Sequence, residues 1–225
     1  MEKIAVIGLG YVGLPLAALC ATKGYEVVGL ERSPDVVELL KKGQSHIIDH
    51  EVEQLLKAAH LSGNFYPTGD HSKLSSCHTY LICVPTPVDE SLEPDLEPLL
   101  GAIIDIAPYI TAGDLIVVES TIFPGTCETI VLPLLEEKTA LSVGRDIHLA
   151  HCPERVNPGD TFWTSANIPR VVGATTIQGT KVAAQFYSSI LGVKCSMFRT
   201  FEKIYAPNFQ KQKMGTVNPR FPLAV

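Results

Sequence analysis

Basic residues are scarce in this sequence of 225 residues, where 18 Lys and Arg stand against 24 Asp and Glu for a formal net charge of −6. A chain with this balance lacks the positive surface typical of nucleic-acid binding proteins, so we expect no nucleic-acid partner. Its longest apolar runs fall short of the ~18 residues that cross a membrane, so we expect no membrane association. With 46% hydrophobic and 19% charged residues, the composition predicts a globular protein of one or two domains.

Paired cysteine motifs are also missing. Six cysteines are scattered through the chain with no CxxC spacing, mostly inside apolar segments. The apolar N-terminal run is interrupted by Gly8, Gly10 and Gly13, which argues against an export signal. We therefore predict reduced thiols in the core and a cytoplasmic protein.

Strand-like and helix-like patterns alternate along the chain. The strand-like runs are Ile4–Ile7, Glu26–Leu30, Thr79–Val84, Leu115–Glu119, Ile147–Cys152 and, more weakly, Arg170–Val172. Helical patterns are Tyr11–Thr22, Pro34–Lys42, Glu51–His60, Leu96–Ala107, Gly125–Lys138 and Ile177–Ile190. This alternation predicts an α/β fold with a doubly wound, mainly parallel sheet of the Rossmann type over residues 1–195.

The last thirty residues follow a different pattern. No helix or strand period continues through residues 196–225, and Pro207, Pro219 and Pro222 would interrupt either structure. We predict a divergent, disordered tail rather than a second domain.

A glycine-rich turn follows the first predicted strand and opens the first predicted helix. The motif GxGxxG comprises Gly8, Leu9, Gly10, Tyr11, Val12 and Gly13. In this context the first glycine permits a tight turn, the second lets a pyrophosphate approach the backbone, and the third lets helix and strand pack closely. The helix N-terminus then offers N–H groups to the phosphates, so the motif predicts a dinucleotide site.

An acidic residue ends the second predicted strand, 18 residues after Gly13. Glu31 occupies the position expected for a carboxylate that binds the adenosine ribose, and its negative charge favours NAD over NADP. The neighbouring Arg32 keeps NADP open as an alternative.

Four blocks of sequence carry a family resemblance. They are Ile4–Ala17, Cys83–Pro87, Glu119–Thr121 with Pro124–Thr126, and Cys152–Arg155 with Pro158 and Gly159. In order and spacing the chain resembles the UDP-glucose/GDP-mannose dehydrogenase family. The last block is most similar to the branch of UDP-N-acetylmannosamine dehydrogenases, which act on UDP-N-acetylated hexosamines.

The resemblance implies roles for particular residues. Pro85 and Thr86 would lie beside the nicotinamide ribose, and Thr121 would contact the cofactor and position the reacting water or hydroxyl. Glu154 would act in acid–base chemistry or orient that water. The alternatives are that Thr121 is a helix N-cap and that Glu154 is a loop carboxylate paired with Arg155.

The resemblance also implies an activity and a missing part. Family members oxidise a sugar's primary alcohol twice with two NAD⁺, and a cysteine beyond residue 225 of this numbering traps the aldehyde. We expect this chain to be the NAD-binding part of an enzyme that makes a uronic-acid precursor of polysaccharides from a UDP-sugar. It would be truncated and inactive alone, or would pair with a separate C-terminal half.

Two further expectations concern what else the chain does. The alternative function is a stand-alone NAD-binding or regulatory module without catalysis. We expect no metal site, because no third ligand is evident for His148 and His151 and the acidic segment 89–97 is typical of a solvated loop.

Overall fold

A computed structural model of the chain describes residues 2–88, 94–155, 167–191 and 195–198. The strands are β1 (Lys3–Ile7), β2 (Glu26–Leu30), β3 (Phe65–Thr68), β4 (Thr79–Ile82), β5 (Leu115–Val118), β6 (His148–His151), β7 (Val171–Ala174) and β8 (Ser196–Phe198). The helices are α1 (Gly13–Thr22), α2 (Pro34–Lys41), α3 (His50–Ser62), α4 (Glu97–Ile106), α5 (Leu132–Thr139) and α6 (Ile177–Ile190). A π-helical segment, Cys127–Val131, leads directly into α5. None of these helices is both long and apolar enough to cross a membrane.

The strands join in one sheet. Across the described ranges its order is β3-β2-β1-β4-β5-β6-β7-β8, and every neighbouring pair is parallel except the antiparallel pair of β6 and β7. The chain order reverses between β1 and β4, and doubly wound sheets have a crevice at such a point, at the carboxyl ends of the strands. This is the place where doubly wound sheets bind nucleotides. The predicted Rossmann-type fold is confirmed.

Helices cover both faces of the sheet. One apolar layer packs α1, α3 and α6 against the sheet, and the other packs α4 and α5 against the opposite face. The central strands β1, β4 and β5 are buried on both sides. Burial on both faces explains why these strands are continuous apolar runs rather than alternating ones.

Two strands were not predicted. β3 contains Pro67, which lacks a backbone N–H, and such a strand is tolerated because it lies at the edge of the sheet. β8 corrects the start of the predicted tail, because Ser196–Phe198 pair in parallel with β7 and extend the sheet past residue 195. Three residues are too few to produce a sequence period. The remainder of the predicted tail, residues 199–225, lies outside the described part of the chain.

Candidate functional site

The turn between β1 and α1 requires glycine at two positions. Gly8 has a φ of +88°, in the left-handed region, and its N–H donates to the Leu30 carbonyl at 2.9 Å. A Cβ at Gly13 would lie 1.9 Å from the Gly8 carbonyl oxygen. These two glycines therefore allow helix, strand and turn to pack as closely as the sequence motif predicts.

Gly10, in contrast, faces open space. A Cβ built there would meet no atom within 4 Å. The adjacent N-terminus of α1 carries no side-chain cap, whereas α2 and α3 are capped by Ser33 and Asp49. An open approach to an uncapped helix N-terminus is the geometry that a pyrophosphate needs. Tyr11 is exposed and Val12 is the N-cap residue of α1.

Glu31 lies where β2 ends and fastens that end to the glycine turn. Its Oε2 accepts from the Leu9 N–H at 3.0 Å, and its Oε1 accepts from the Ser33 N–H at 3.0 Å. A carboxylate accepts about four hydrogen bonds, so two bonds leave capacity for ribose hydroxyls. The side chain is half-buried and its neighbour Arg32 is exposed. The residues present fit a dinucleotide at this crevice.

The loops that follow β4 and β5 meet at the same edge. The Thr86 hydroxyl donates to the Thr121 carbonyl at 2.5 Å, and the Ser120 hydroxyl donates to the Val84 carbonyl at 2.6 Å. Pro85 and Thr121 are exposed beside this contact. The residue at the N-cap position of the following helical segment is Thr126, so the capping alternative for Thr121 is not what the structure shows.

Glu154 joins this edge from the loop after β6. Its backbone N–H donates to the Glu119 carbonyl at 3.4 Å, and its Oε1 accepts from the Arg155 N–H at 2.6 Å. Its Oε2 lies 2.6 Å from Nη2 of Arg170. The alternative interpretation named Arg155 as the charged partner, but Arg170 forms this ion pair.

Arg170 is fully buried and also contacts a second carboxylate. Its Nη1 lies 3.3 Å from Oε2 of Glu119, whose other oxygen accepts a short hydrogen bond from the Tyr187 hydroxyl. The guanidinium carbon lies 6.0 Å from the centre of the Tyr187 ring. We call Glu119, Glu154, Arg170 and Tyr187 the charge cluster.

Burial changes the proton affinity of the charge cluster. Removal from water raises the pKa of Glu119 to about 7, although Arg170 acts in the opposite direction. Burial also raises the pKa of Tyr187 well above its ordinary value, so this hydroxyl stays protonated. Burial disfavours the charge of Arg170, but Glu119 and Glu154 together raise its pKa and keep it cationic.

Glu119, Arg170 and Tyr187 are site residues that the sequence does not predict. Two signals were present: an acid directly after the apolar run Leu115–Val118 and an arginine directly before the apolar pair Val171 and Val172. A charge that borders a buried strand indicates a partner in the interior. The sequence alone does not show which partner that is, because 51 residues separate Glu119 from Arg170.

The cysteines in the described ranges are all free, and five of the six are buried. Cys152, the nearest to Glu154, is fully buried, and burial raises the pKa of its thiol well above 9.0. A protonated, inaccessible thiol is a poor nucleophile, so Cys152 packs the core, as predicted.

One of the two histidines considered as metal ligands, His151, lies against a backbone carbonyl. Nδ1 of His151 lies 2.7 Å from the Val118 carbonyl, and burial lowers the pKa of this histidine to about 4. In the part of the chain that the structure covers, no three His, Cys, Asp or Glu side chains are placed to hold a metal ion. Residues 89–93 of the acidic loop, together with Pro158 and Gly159, lie outside the described ranges.

Comparisons with known proteins agree with this geometry. Residues 2–191 match the model of the UDP-glucose/GDP-mannose dehydrogenase family, NAD binding domain. The chain is 38% identical to the UDP-N-acetyl-D-mannosamine dehydrogenase of Pyrococcus horikoshii, over 88% of this chain and 46% of that protein. It is 34% identical to the UDP-N-acetyl-D-glucosamine 6-dehydrogenase of Salmonella typhi, over 84% of this chain and 43% of that one.

Solved structures of nucleotide-sugar dehydrogenases align with the fold of this chain. The UDP-D-ManNAc dehydrogenase structure from Pyrococcus horikoshii aligns with a TM-score of 0.85 at 35% identity, over 90% of this chain and 49% of that chain. A ternary complex of GDP-mannose dehydrogenase from Pseudomonas aeruginosa aligns with a TM-score of 0.79 at 25% identity, over 94% and 50%. The chain thus spans about half the length of the proteins it matches.

Proposed function

The chain belongs to the UDP-glucose/GDP-mannose dehydrogenase family and carries its NAD-binding domain; from this premise we propose that it is the cofactor-binding portion of a nucleotide-sugar dehydrogenase. The reaction proposed is oxidation of the C6 alcohol of a UDP-N-acetylhexosamine to the uronic acid. The names of the similar enzymes from Pyrococcus horikoshii and Salmonella typhi support this substrate class.

The carrying observation is the open position in the glycine turn, at the carboxyl end of β1 where the strand order reverses. Gly10 leaves room beside the uncapped N-terminus of α1, and Glu31 lies at the end of the neighbouring strand. The proposed roles follow from these positions: the α1 N-terminus and the Gly10 backbone bind the pyrophosphate, and Glu31 accepts from the ribose hydroxyls. NAD supplies the hydride acceptor when bound.

The proposed chemistry beyond the cofactor uses the loops after β4, β5 and β6. The contact between Thr86 and Thr121 supports the proposal that both loops border the nicotinamide end of a bound dinucleotide. Glu154 lies on the adjacent loop with its carboxylate oriented by Arg170. We propose that Thr121 orients the reacting hydroxyl or water. Glu154 then exchanges a proton with that hydroxyl or water.

The proposed function is tested by measuring turnover of the chain alone and of the chain together with a C-terminal half from a relative. The purified chain is mixed with UDP-N-acetylmannosamine and NAD⁺, with or without the separately expressed C-terminal half of the Pyrococcus horikoshii relative, and NADH is followed by absorbance. We expect NADH only when both halves are present. Thr121→Val and Glu154→Gln should both reduce it, and Glu154→Gln should do so at unchanged NAD affinity. Full activity of either variant would contradict the assigned roles.

A stand-alone NAD-binding or regulatory module is the second candidate. One observation favours this candidate. The proposed cofactor residues all lie within residues 8–121, in turns and loops that follow strands of a single sheet. The same experiment separates the two. NAD binding without turnover in both arms supports the module, whereas turnover restored by the C-terminal half supports the enzyme.

We extend the proposal to a cytoplasmic role in polysaccharide precursor synthesis, which the free, buried thiols support. Fractionation of the source cells with an antibody to the chain tests the compartment. Recovery in an exported fraction would contradict it.

A further inference from the structure

The charge cluster places one buried cation between two carboxylates of different surroundings. Arg170 contacts Glu154 at 2.6 Å and Glu119 at 3.3 Å, so the guanidinium lies closer to Glu154. The Arg170 and Glu119 side chains have no exposed surface, whereas that of Glu154 is 11% exposed. Glu154 is therefore the member of the cluster that reaches the edge where substrate would bind.

Glu119 has a second anchor that does not depend on its charge. The Tyr187 hydroxyl donates to Oε1 of Glu119, and a neutral carboxyl can accept this bond through its carbonyl oxygen. Glu119 can thus gain or lose a proton without leaving its place. A proton on Glu119 removes one of the two negative charges that share Arg170, and the guanidinium then pairs with Glu154 alone.

We propose that Arg170 is a positioning residue for Glu154 and that the proton on Glu119 decides how Arg170 is shared between the two carboxylates. The proton is exchanged with solvent, so no further reactant is needed. The catalytic meaning of this device rests on the proposed function, but the coupling between the two carboxylates does not.

The surroundings of Glu119 support a change of proton state near neutral pH. Burial raises the pKa of Glu119 to about 7, against the effect of Arg170. The ionisable groups within electrostatic reach come from every element around it: Cys20 of α1, Cys83 after β4, Cys152 and Glu154 after β6, Arg170 before β7, Tyr187 of α6 and Cys195 before β8. Burial raises the pKa of each of these thiols, so they remain neutral in this range.

Carboxyl NMR of the full chain tests the coupling without cofactor or substrate. Glutamate is labelled with ¹³C at the side-chain carboxyl, the resonances of Glu119 and Glu154 are assigned by Glu119→Gln and Glu154→Gln, and both are followed from pH 5 to pH 9. We expect the Glu154 resonance to show a step at the pH where Glu119 titrates. We also expect Glu119→Gln to abolish that step and Tyr187→Phe to move it to higher pH.

Controls separate this coupling from a general structural role. Glu136 is not a member of the charge cluster and accepts from the Val143 N–H at 2.9 Å. The variant Glu136→Gln should therefore leave the step unchanged. Glu119→Gln has the shape of the native side chain and carries the test if variants of Arg170 fail to fold. A Glu154 resonance with no step, or a step that persists in Glu119→Gln, would overturn the proposal.

A second arm connects the device to catalysis and keeps the two proposals distinguishable. In the enzyme completed with the C-terminal half, we expect Glu119→Gln to remove a limb near pH 7 from the kcat profile while KM stays unchanged. An unaltered limb would overturn the role in catalysis. Absence of turnover in every sample would contradict the proposed function, and the NMR result would still decide the coupling.

Discussion

The glycine turn and the charge cluster lie at the same edge of the sheet but are built in opposite ways. The turn is formed by consecutive residues, uses backbone atoms, and leaves an open position at Gly10. The charge cluster brings together side chains from residues 119 to 187 and is buried. The turn thus keeps one position free for a ligand beside two glycines that the packing requires, whereas the side chains of the charge cluster pair with one another inside the fold.

The largest expected effect is the loss of Arg170. Arg170→Met removes the only cation of the charge cluster and leaves two carboxylates close together in the interior. Breaking a buried pair in this way costs about 3–5 kcal/mol of the free energy of unfolding. Urea denaturation measures it.

Arg145→Met is the matched control, because Arg145 pairs with Asp146 at 2.8 Å while its own side chain is 76% exposed. We expect no measurable destabilisation from this control. Equal denaturation midpoints for the two variants would contradict the importance of the buried cation.

The next effect comes from two buried groups whose contributions to stability change with pH in opposite directions. Burial raises the pKa of Glu119 from 4.5 to about 7, so its stabilising contribution is present below pH 4.5 and is lost as the pH rises to about 7. Burial lowers the pKa of His151 from 6.5 to about 4, so its contribution is present above pH 6.5 and is lost as the pH falls to about 4. Each amounts to about 3 kcal/mol, since one pKa unit corresponds to about 1.36 kcal/mol.

Two variants separate these contributions. Relative to the wild type, Glu119→Gln should gain stability as the pH rises from 4.5 to 8, and His151→Asn should gain stability as the pH falls from 7 to 4.5. Urea midpoints at these pH values give the differences. Parallel stability curves for the wild type and either variant would show that the group does not titrate as described.

Two glycine-to-alanine variants, one in the turn and one in α4, test the packing described for the turn. Gly13→Ala would place a methyl group 1.9 Å from the Gly8 carbonyl oxygen, so we expect a loss of about 2–3 kcal/mol of stability. Gly101→Ala in α4 meets nothing within 4 Å and should stabilise by about 0.5–1 kcal/mol through better helix propensity. Thermal unfolding of both variants checks the opposite signs, and a shared sign would contradict the packing described for the turn.

A further expected effect, on cofactor affinity, concerns the ribose. Glu31→Ala should weaken NAD binding by about 1.5 kcal/mol, because charge-assisted hydrogen bonds to the ribose are lost. It should weaken NADP binding less, since a carboxylate disfavours a 2′-phosphate. Calorimetric titration measures both, with the exposed Glu38→Gln as control. Equal NAD affinity in Glu31→Ala and the wild type would refute the ribose assignment.

The same contrast explains what the sequence could and could not predict. Strands β1, β2, β4 and β5 were found because burial on both faces produces continuous apolar runs, and the glycine turn because its determinants are consecutive. The edge strands β3 and β8 were missed because a proline in one and the shortness of the other hide the pattern. The charge cluster was missed because its partners meet only after β5, β6, β7 and α6 have packed together.

NAD titration of Gly10→Ala tests the central claim most directly. The added methyl group meets no atom of the protein, so the fold and its denaturation midpoint should be unchanged. It occupies the space proposed for the pyrophosphate, so we predict that the wild type binds NAD and that Gly10→Ala binds at least ~10-fold more weakly, about 1.4 kcal/mol. Equal NAD affinity in the two proteins, or no binding by a folded wild type, would contradict the account.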